Sequence, residues 1–202
     1  MTDYPDTKEM KSLLPDASAG LFYQADFLTK EQSDYYFHQL KSEVAWEQKA
    51  IRIFGKEVPE PRLTAWHGDA NAIYTYSGIK MQPRPWIAIL EELKQLTERA
   101  CAATFNSGLL NYYRQGNDSM GWHRDNEKEL GKEPLIASVS LGSARTFQVR
   151  HYQDKSNKLE LDLAPGSLLI MSGTMQENWQ HAIPKRKKSE GERINVTFRT
   201  IL

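Results

Sequence analysis

The 202-residue sequence predicts an α+β fold, mainly β, with a jelly-roll core preceded by helices. Three observations carry this reading. First, short segments rich in β-branched or alternating residues recur from Ser107 onward, at 108–114, 135–141, 145–151, 159–163, 167–171, 179–183 and 193–201. Second, Gly116, Gly131, Gly142, Pro165-Gly166 and Gly173 punctuate those segments as turns would. Third, the helical signals all lie upstream of Ser107.

The elements follow in order. Residues 1–20 are polar, with Pro5, Pro15 and Gly20, and read as a flexible arm. Thr29 and Gln32 form a capping-box pattern that opens a helix running to about Val44, with Tyr35, Tyr36, Gln39 and Leu40 along it. Residues 51–82 read as extended segments with turns, and 51–56 as a strand entering a hairpin. A second helix is expected from Pro85, a good first-turn residue, to about Ala102, with Leu90, Leu93 and Leu96 on its apolar face. The chain therefore divides into an arm (1–20), an α/β extension forming a lid (21–106) and the jelly-roll core (107–202). The last two are read as one integrated domain, because no linker separates them.

Composition narrows the class. Lys and Arg number 26, as do Asp and Glu, so no global field draws the chain to a polyanion and any such binding must be local. Cys101 is the only cysteine; it excludes an intrachain disulfide or a thiolate-rich metal cluster and fits a reducing compartment. The N-terminus lacks the apolar stretch of a signal peptide, and no apolar run reaches membrane-spanning length. The expected location is the cytoplasm, or the nucleus in a eukaryote, for a monomer without a membrane partner.

The chemistry concentrates at His123-Arg124-Asp125. Residues at i and i+2 on a strand share a face, so His123 and Asp125 can offer an imidazole and a carboxylate to one metal ion. His181, several strands later, can add a second imidazole. Two histidines and one carboxylate leave open metal positions and suit non-haem Fe(II) oxygenases. The segment Arg193-Ile194-Asn195-Val196-Thr197-Phe198-Arg199 puts Arg193, Asn195, Thr197 and Arg199 on one face and the apolar residues on the other. Its arginines suit a carboxylated co-substrate, and Asn111 with Tyr113 is a second i, i+2 pair able to hydrogen-bond it. The bland reading is an edge strand with arginines in water. Lys185-Arg186-Lys187-Lys188 is a cation run that phosphates could contact. His38, His67 and His151 lack ligand spacing, and Trp66, Trp122 and Trp179 read as packing residues near the site.

These motifs together resemble the AlkB family of Fe(II)/2-oxoglutarate dioxygenases. The segments that carry the resemblance are Asn111-Tyr112-Tyr113, His123-Arg124-Asp125-Asn126-Glu127, Ile136-Ala137-Ser138-Val139-Ser140-Leu141-Gly142, Gly166-Ser167-Leu168-Leu169-Ile170-Met171, His181-Ala182-Ile183-Pro184 and Arg193 to Arg199. Upstream, Pro61-Arg62-Leu63-Thr64-Ala65-Trp66 and Tyr74-Thr75-Tyr76-Ser77-Gly78 extend it, so that it covers about residues 50–202 and is similar to the branch that repairs alkylated bases. The resemblance implies a double-stranded β-helix core under a nucleotide-recognition lid. It implies that His123, Asp125 and His181 bind Fe(II), and that Arg193, Arg199, Asn111, Tyr113 and Asn195 hold 2-oxoglutarate, with O2 as second co-substrate. It places Tyr74, Tyr76, Ser77, Glu127 and Arg62 on the substrate side and makes Phe54 an aromatic finger for duplex. The cations Arg186, Lys187 and Lys188 would contact the strand. The implied activity is oxidative demethylation of 1-methyladenine- or 3-methylcytosine-type lesions in DNA, with RNA a second candidate, releasing formaldehyde, succinate and CO2. Two alternatives stand beside it: a related dioxygenase acting on protein or a small molecule, and an inactive nucleic-acid-binding module.

Overall fold

Alternating strands are stable only when their apolar face is covered, and here two antiparallel sheets cover one another. The computed structural model describes residues 11–53, 56–76, 79–187 and 191–202, with the backbone alone for 51–53, 56, 74–76 and 79–81. In chain order the elements are β1 (Ala19–Gln24), α1 (Lys30–Glu43), β2 (Ala50–Ile53), β3 (Lys56–Pro59), β4 (Leu63–Gly68), β5 (Tyr74–Tyr76), β6 (Ile79–Met81) and α2 (Ala88–Cys101). They continue with β7 (Ser107–Tyr113), β8 (Met120–His123), β9 (Ile136–Gly142), β10 (Arg145–His151), β11 (Lys158–Leu163), β12 (Ser167–Gly173), α3 (Met175–Asn178), β13 (Trp179–Ile183) and β14 (Arg193–Arg199). The larger sheet runs β1-β12-β9-β14-β7-β4 and the smaller β11-β10-β13-β8; β2 with β3 and β5 with β6 form separate hairpins.

Two apolar layers result. Between the sheets lie Tyr113, Ile136, Leu169 and Met171 from the larger and Phe147, Val149, Leu163 and Ile183 from the smaller. On the other face of the larger sheet, Leu110, Val139, Leu141, Ile194, Val196 and Phe198 pack with Tyr36 and Leu40 of α1 and Leu90 and Leu93 of α2. The helices therefore cover the sheet face turned away from the jelly-roll interior. Among the described residues, no helix is long and apolar enough to cross a membrane.

Local signals explain most boundaries. The Thr29 hydroxyl accepts from the Gln32 backbone N–H (3.2 Å), and the Gln32 side chain accepts from the Thr29 N–H (3.0 Å), so the capping box opens α1 as expected. The second helix begins at Ala88, not at Pro85. Arg84 bridges to His67 beside β4, and the Pro85 carbonyl lies 2.7 Å from His67 Nδ1, which holds that stretch extended. The arm is also shorter than expected. Ala19 and Gly20 belong to β1, and the Ser12 hydroxyl donates to the Ala19 carbonyl and accepts from the Leu21 N–H, tying down the segment before it. β8 ends at His123, so Asp125 lies just past the strand and not on it. The edge-strand reading of 193–199 is wrong: β14 is internal, paired to β7 on one side and β9 on the other. Gly142, at φ +84°, turns β9 toward β10 where a Cβ would collide with the Glu192 carbonyl, a conformation that only glycine adopts easily.

The alternation of β14 predicts a sharp contrast. Phe198, with no exposure, stacks near Phe105 at 6.1 Å. Phe198→Ala should cost about 3–5 kcal/mol in urea unfolding. Tyr35→Ala, on the open face of α1 and half exposed, should stay within about 0.5 kcal/mol of the parent. Equal losses at the two positions would contradict the assigned faces.

Candidate metal and co-substrate site

The inner face of β14 and the ends of β8 and β13 converge on one pocket between the sheets. His123 and His181 are direct cross-strand partners, with ring centroids 4.1 Å apart. The β8–β13 register shifts between His181 and Ile183, so the irregularity follows the histidine pair. Asp125 is brought back beside them by its backbone: its N–H donates to the side-chain oxygen of Gln176, at 2.9 Å, from α3. His123 Nε2 then lies 3.9 Å from an Asp125 carboxylate oxygen. The three donor groups fall within 4.8 Å of one another, the one set among the described residues that could hold a metal.

The donor chemistry fits a divalent metal. His123 Nδ1 sits 2.8 Å from the Gly121 carbonyl, which can only accept; the proton is thereby held on Nδ1 and Nε2 is left as a lone-pair donor. Burial, reinforced by the neighbouring His123, pulls the His181 imidazole down to about 3 and keeps it neutral. Burial, the largest single influence, would raise the Asp125 carboxyl, but Arg199, 3.8 Å away, together with His181 and His123 outweighs it and holds the group below the ordinary range as a carboxylate.

Beside this triad stands a buried cation. Arg193 is 1% exposed. Its Nη2 donates to the Ser140 hydroxyl (2.9 Å), but its Nε and Nη1 are buried without a protein acceptor. Burial lowers the guanidinium only to about 10, so it stays charged at neutral pH. Such a group costs several kcal/mol unless an anion meets it. The Tyr113 ring lies 5.2 Å from it and 5.4 Å from Arg145.

The other expected residues are placed differently from one another. Asn111, Tyr113, Asn195, Thr197 and Arg199 all line the pocket with Arg193. The Asn195 amide donates to the Ser138 hydroxyl (2.7 Å) and the Val139 carbonyl (3.1 Å), so its donors serve the sheet. Arg62 is tied to this wall: its Nε donates to the Asn111 side-chain oxygen at 2.7 Å. Glu127 follows the triad on the loop before the 3-10 turn at Lys128–Leu130, with one buried carboxylate oxygen lacking a partner. Arg186 folds against β10 and β11, hydrogen-bonding Thr146 and lying 3.3 Å from Asp162, while Lys187 is exposed. Phe54, Ser77 and Lys188, and the side chains of Tyr74 and Tyr76, lie outside the described residues.

Sequence reasoning missed two buried residues. Gln176 positions Asp125, and Arg145 joins two loops by donating to the Asp118 (2.9 Å) and Pro184 (2.7 Å) carbonyls. Neither sits in a motif, and nothing local marks them. Trp122 was expected to be packing; it is instead 37% exposed on the outer side of β8.

Comparison with known proteins agrees with this geometry. The family model described as the 2OG-Fe(II) oxygenase superfamily matches residues 20–199. The chain is 39% identical over 199 residues to alpha-ketoglutarate-dependent dioxygenase alkB homolog 3 of Mus musculus, covering 94% of this chain and 69% of that one. It is 40% identical over 183 residues to DNA oxidative demethylase ALKBH2 of Bos taurus, covering 86% and 66%. The solved structure of OsALKBH1 shares the fold with a TM-score of 0.62 at 17% identity, over 89% of this chain and 97% of that one.

The neutral, buried His181 predicts an acid-labile metal-free protein. The folded chain resists protonation there until about pH 3, whereas the unfolded chain takes the proton near 6.5. The unfolded state therefore binds more protons in that window, and stability falls as pH drops through it. From pH 7.5 to 5 the loss should be about 2 kcal/mol in urea midpoints. His181→Gln should remove that part of the slope; identical slopes would show that His181 does not carry it.

Proposed function

The chain belongs to the 2OG-Fe(II) oxygenase superfamily, and from that footing we propose that it is an Fe(II)- and 2-oxoglutarate-dependent demethylase of N-alkylated bases in DNA, with RNA as a second substrate. One observation carries the reading: a two-histidine, one-carboxylate set shares its pocket with a buried guanidinium whose remaining N–H groups have no protein acceptor. The first half suits Fe(II) with open positions; the second suits a carboxylated co-substrate. The nucleic-acid half rests on the relatives named as DNA oxidative demethylases.

In this reading His123, Asp125 and His181 would hold Fe(II). Bound together, Fe(II), 2-oxoglutarate and O2 supply the oxidation of an N-methyl carbon, with succinate, CO2 and formaldehyde as products. Arg193 would take a co-substrate carboxylate on the N–H groups that Ser140 leaves free. Tyr113 would flank that carboxylate, with Asn111 oriented by Arg62. Arg199, with the two histidines, helps keep Asp125 ionised. Leu109, Met120, Phe147 and Leu163 wall the pocket and exclude water, which strengthens each charge contact inside it. Tyr74, Tyr76, Ser77 and Glu127 would take the target base once it leaves its stack. Phe54, Arg186, Lys187 and Lys188 would meet the strand, with Arg186 leaving Asp162 to do so. Action as a monomer, in the cytoplasm or a eukaryotic nucleus, belongs to the same proposal.

The test is turnover of oligonucleotides carrying 1-methyladenine or 3-methylcytosine, with repaired base and succinate both measured by mass spectrometry. The two should form in equal amounts. Succinate without repair across the panel would favour a protein or small-molecule substrate. Asp125→Ala should abolish turnover while keeping the fold; full repair by that variant would remove Asp125 from the metal site. Arg193→Met should weaken 2-oxoglutarate use by about 2–5 kcal/mol, read as a steep rise in the concentration required. An unchanged titration would free Arg193 from that role.

A further inference from the structure

Of the three candidate metal ligands, Asp125 is the one that lies past its strand. β8 sits at the edge of the smaller sheet and ends at His123. Beyond it, the Asp125 N–H donates to Gln176 Oε1 at 2.9 Å. Gln176 is 1% exposed, and its Nε2 donates to the Met171 thioether at 3.4 Å. A backbone N–H only donates and a thioether only accepts, so both contacts demand the same orientation of the amide. Met171 is fixed in turn within the larger sheet, opposite Leu21 on β1 and Ile136 on β9. α3 is tied down at both ends: the Thr174 N–H donates to the Ser18 carbonyl (3.0 Å), and the Glu177 carbonyl accepts from Arg124 Nη1 (2.8 Å). Asp125 therefore stands on a seat made by β12 and α3.

The seat matters because a rival for the carboxylate is close. Asp125 Oδ1 lies 3.9 Å from His123 Nε2 and 3.8 Å from Arg199 Nη1, in direct contact with neither. Charge-assisted N–H···O bonds close to about 2.7–2.9 Å when both groups can move, so the pair is held roughly 1 Å short of contact. Arg199 Nε is also buried without an acceptor. A guanidinium with an unspent donor beside a carboxylate tends to close on it as a two-point fork. Arg199 is carried by β14, which is paired on both sides, so closure would have to come from the loop that bears Asp125. That loop lies past the ladder of β8, and its bonds to α3 oppose the movement.

We propose that Gln176 is a positioning residue for metal binding: by holding the Asp125 backbone on α3, it keeps the carboxylate out of the grasp of Arg199 and free for the metal. The inference rests on the metal reading of His123, Asp125 and His181, but it concerns a residue outside the pocket lining. Because the seat is part of the fold, the loop is ordered during folding and not at the expense of metal affinity. Without the Gln176 acceptor, Asp125 settles on Arg199 in the metal-free protein, and an incoming ion has to break that pair. The same closure would draw Arg199 away from the co-substrate wall. Gln176 thus guards two charges at once through one backbone N–H.

The test is a double-mutant cycle read by Co(II) binding to the metal-free protein, without 2-oxoglutarate, through the visible absorption of the bound ion. Gln176→Met keeps the bulk and removes the acceptor; Arg199→Gln removes the rival. Each variant is checked for an unchanged melting temperature. Gln176→Met should raise the Kd for Co(II) by about 10–100-fold, the range for groups that orient a metal ligand. In the Arg199→Gln background the same change should cost less than about threefold, because the coupled term has gone. Amide hydrogen exchange on the metal-free parent tests the seat without any variant: the Asp125 N–H should exchange at least about tenfold more slowly than in an unstructured chain. An unchanged Kd in Gln176→Met, an equal loss in both backgrounds, or an unprotected Asp125 N–H in the parent would each overturn the proposal and leave the metal site standing. A parent that takes up no Co(II), or a His123→Ala variant that binds it as tightly as the parent, would sink the metal reading and the proposal with it.

Discussion

His123 faces His181 across two antiparallel strands, and the site exists only in that register. Side chains alternate with a period of two, so a slip of one residue would send one imidazole to the outer face with Trp122. The pairing of β10 with β13 fixes His181 opposite Val149, and β10 is fixed in turn by β11. Asp125 has no strand to hold it, and Gln176 does the holding instead. The metal set is thus a product of the sheet ladder plus one side-chain bond from a four-residue helix.

The same geometry explains how this interior tolerates charge. Arg145, Arg193 and Arg199 all reach into or along the space between the sheets. Arg145 satisfies loop carbonyls at one end. Arg199 meets Asp125 at the other. Arg193, between them, is the one whose buried N–H groups mostly lack a protein acceptor. Local cost of this kind is characteristic of a place meant for a ligand, where the fold gives up stability for pre-organised binding.

Much of this was legible beforehand. Periodicity locates most strands of the core, and the alternation in 193–199 separates the pocket-facing residues from Ile194, Val196 and Phe198. The capping box at Thr29 was a local signal with a local outcome. Failures came where distant partners decide. Pro85 looks like a helix start, but His67 on β4 captures its carbonyl. Ala19 and Gly20 look like an arm, but β12 needs a partner at its open edge. Asp125 looks like a strand residue, yet the strand stops two residues earlier. Gln176 and Arg145 act through backbone groups far away in sequence, and no spacing rule reports such bonds.

The place of β14 has a consequence for how the chain acquires its shape. It is synthesised after both of its neighbours, and it enters the middle of the larger sheet, between β9 and β7. Until it arrives, β9 and β7 have no common neighbour, and the apolar faces of α1 and α2 lack Ile194, Val196 and Phe198. β1, made well before its partner, must likewise wait for β12. Such long-range pairings are slow to close, because the entropy of the loop is lost before the contacts repay it. A chain synthesised only as far as β13 therefore lacks the strand that joins β9 to β7. It becomes a folded body and a binding pocket in one event, when the strand bearing Arg193 and Arg199 inserts.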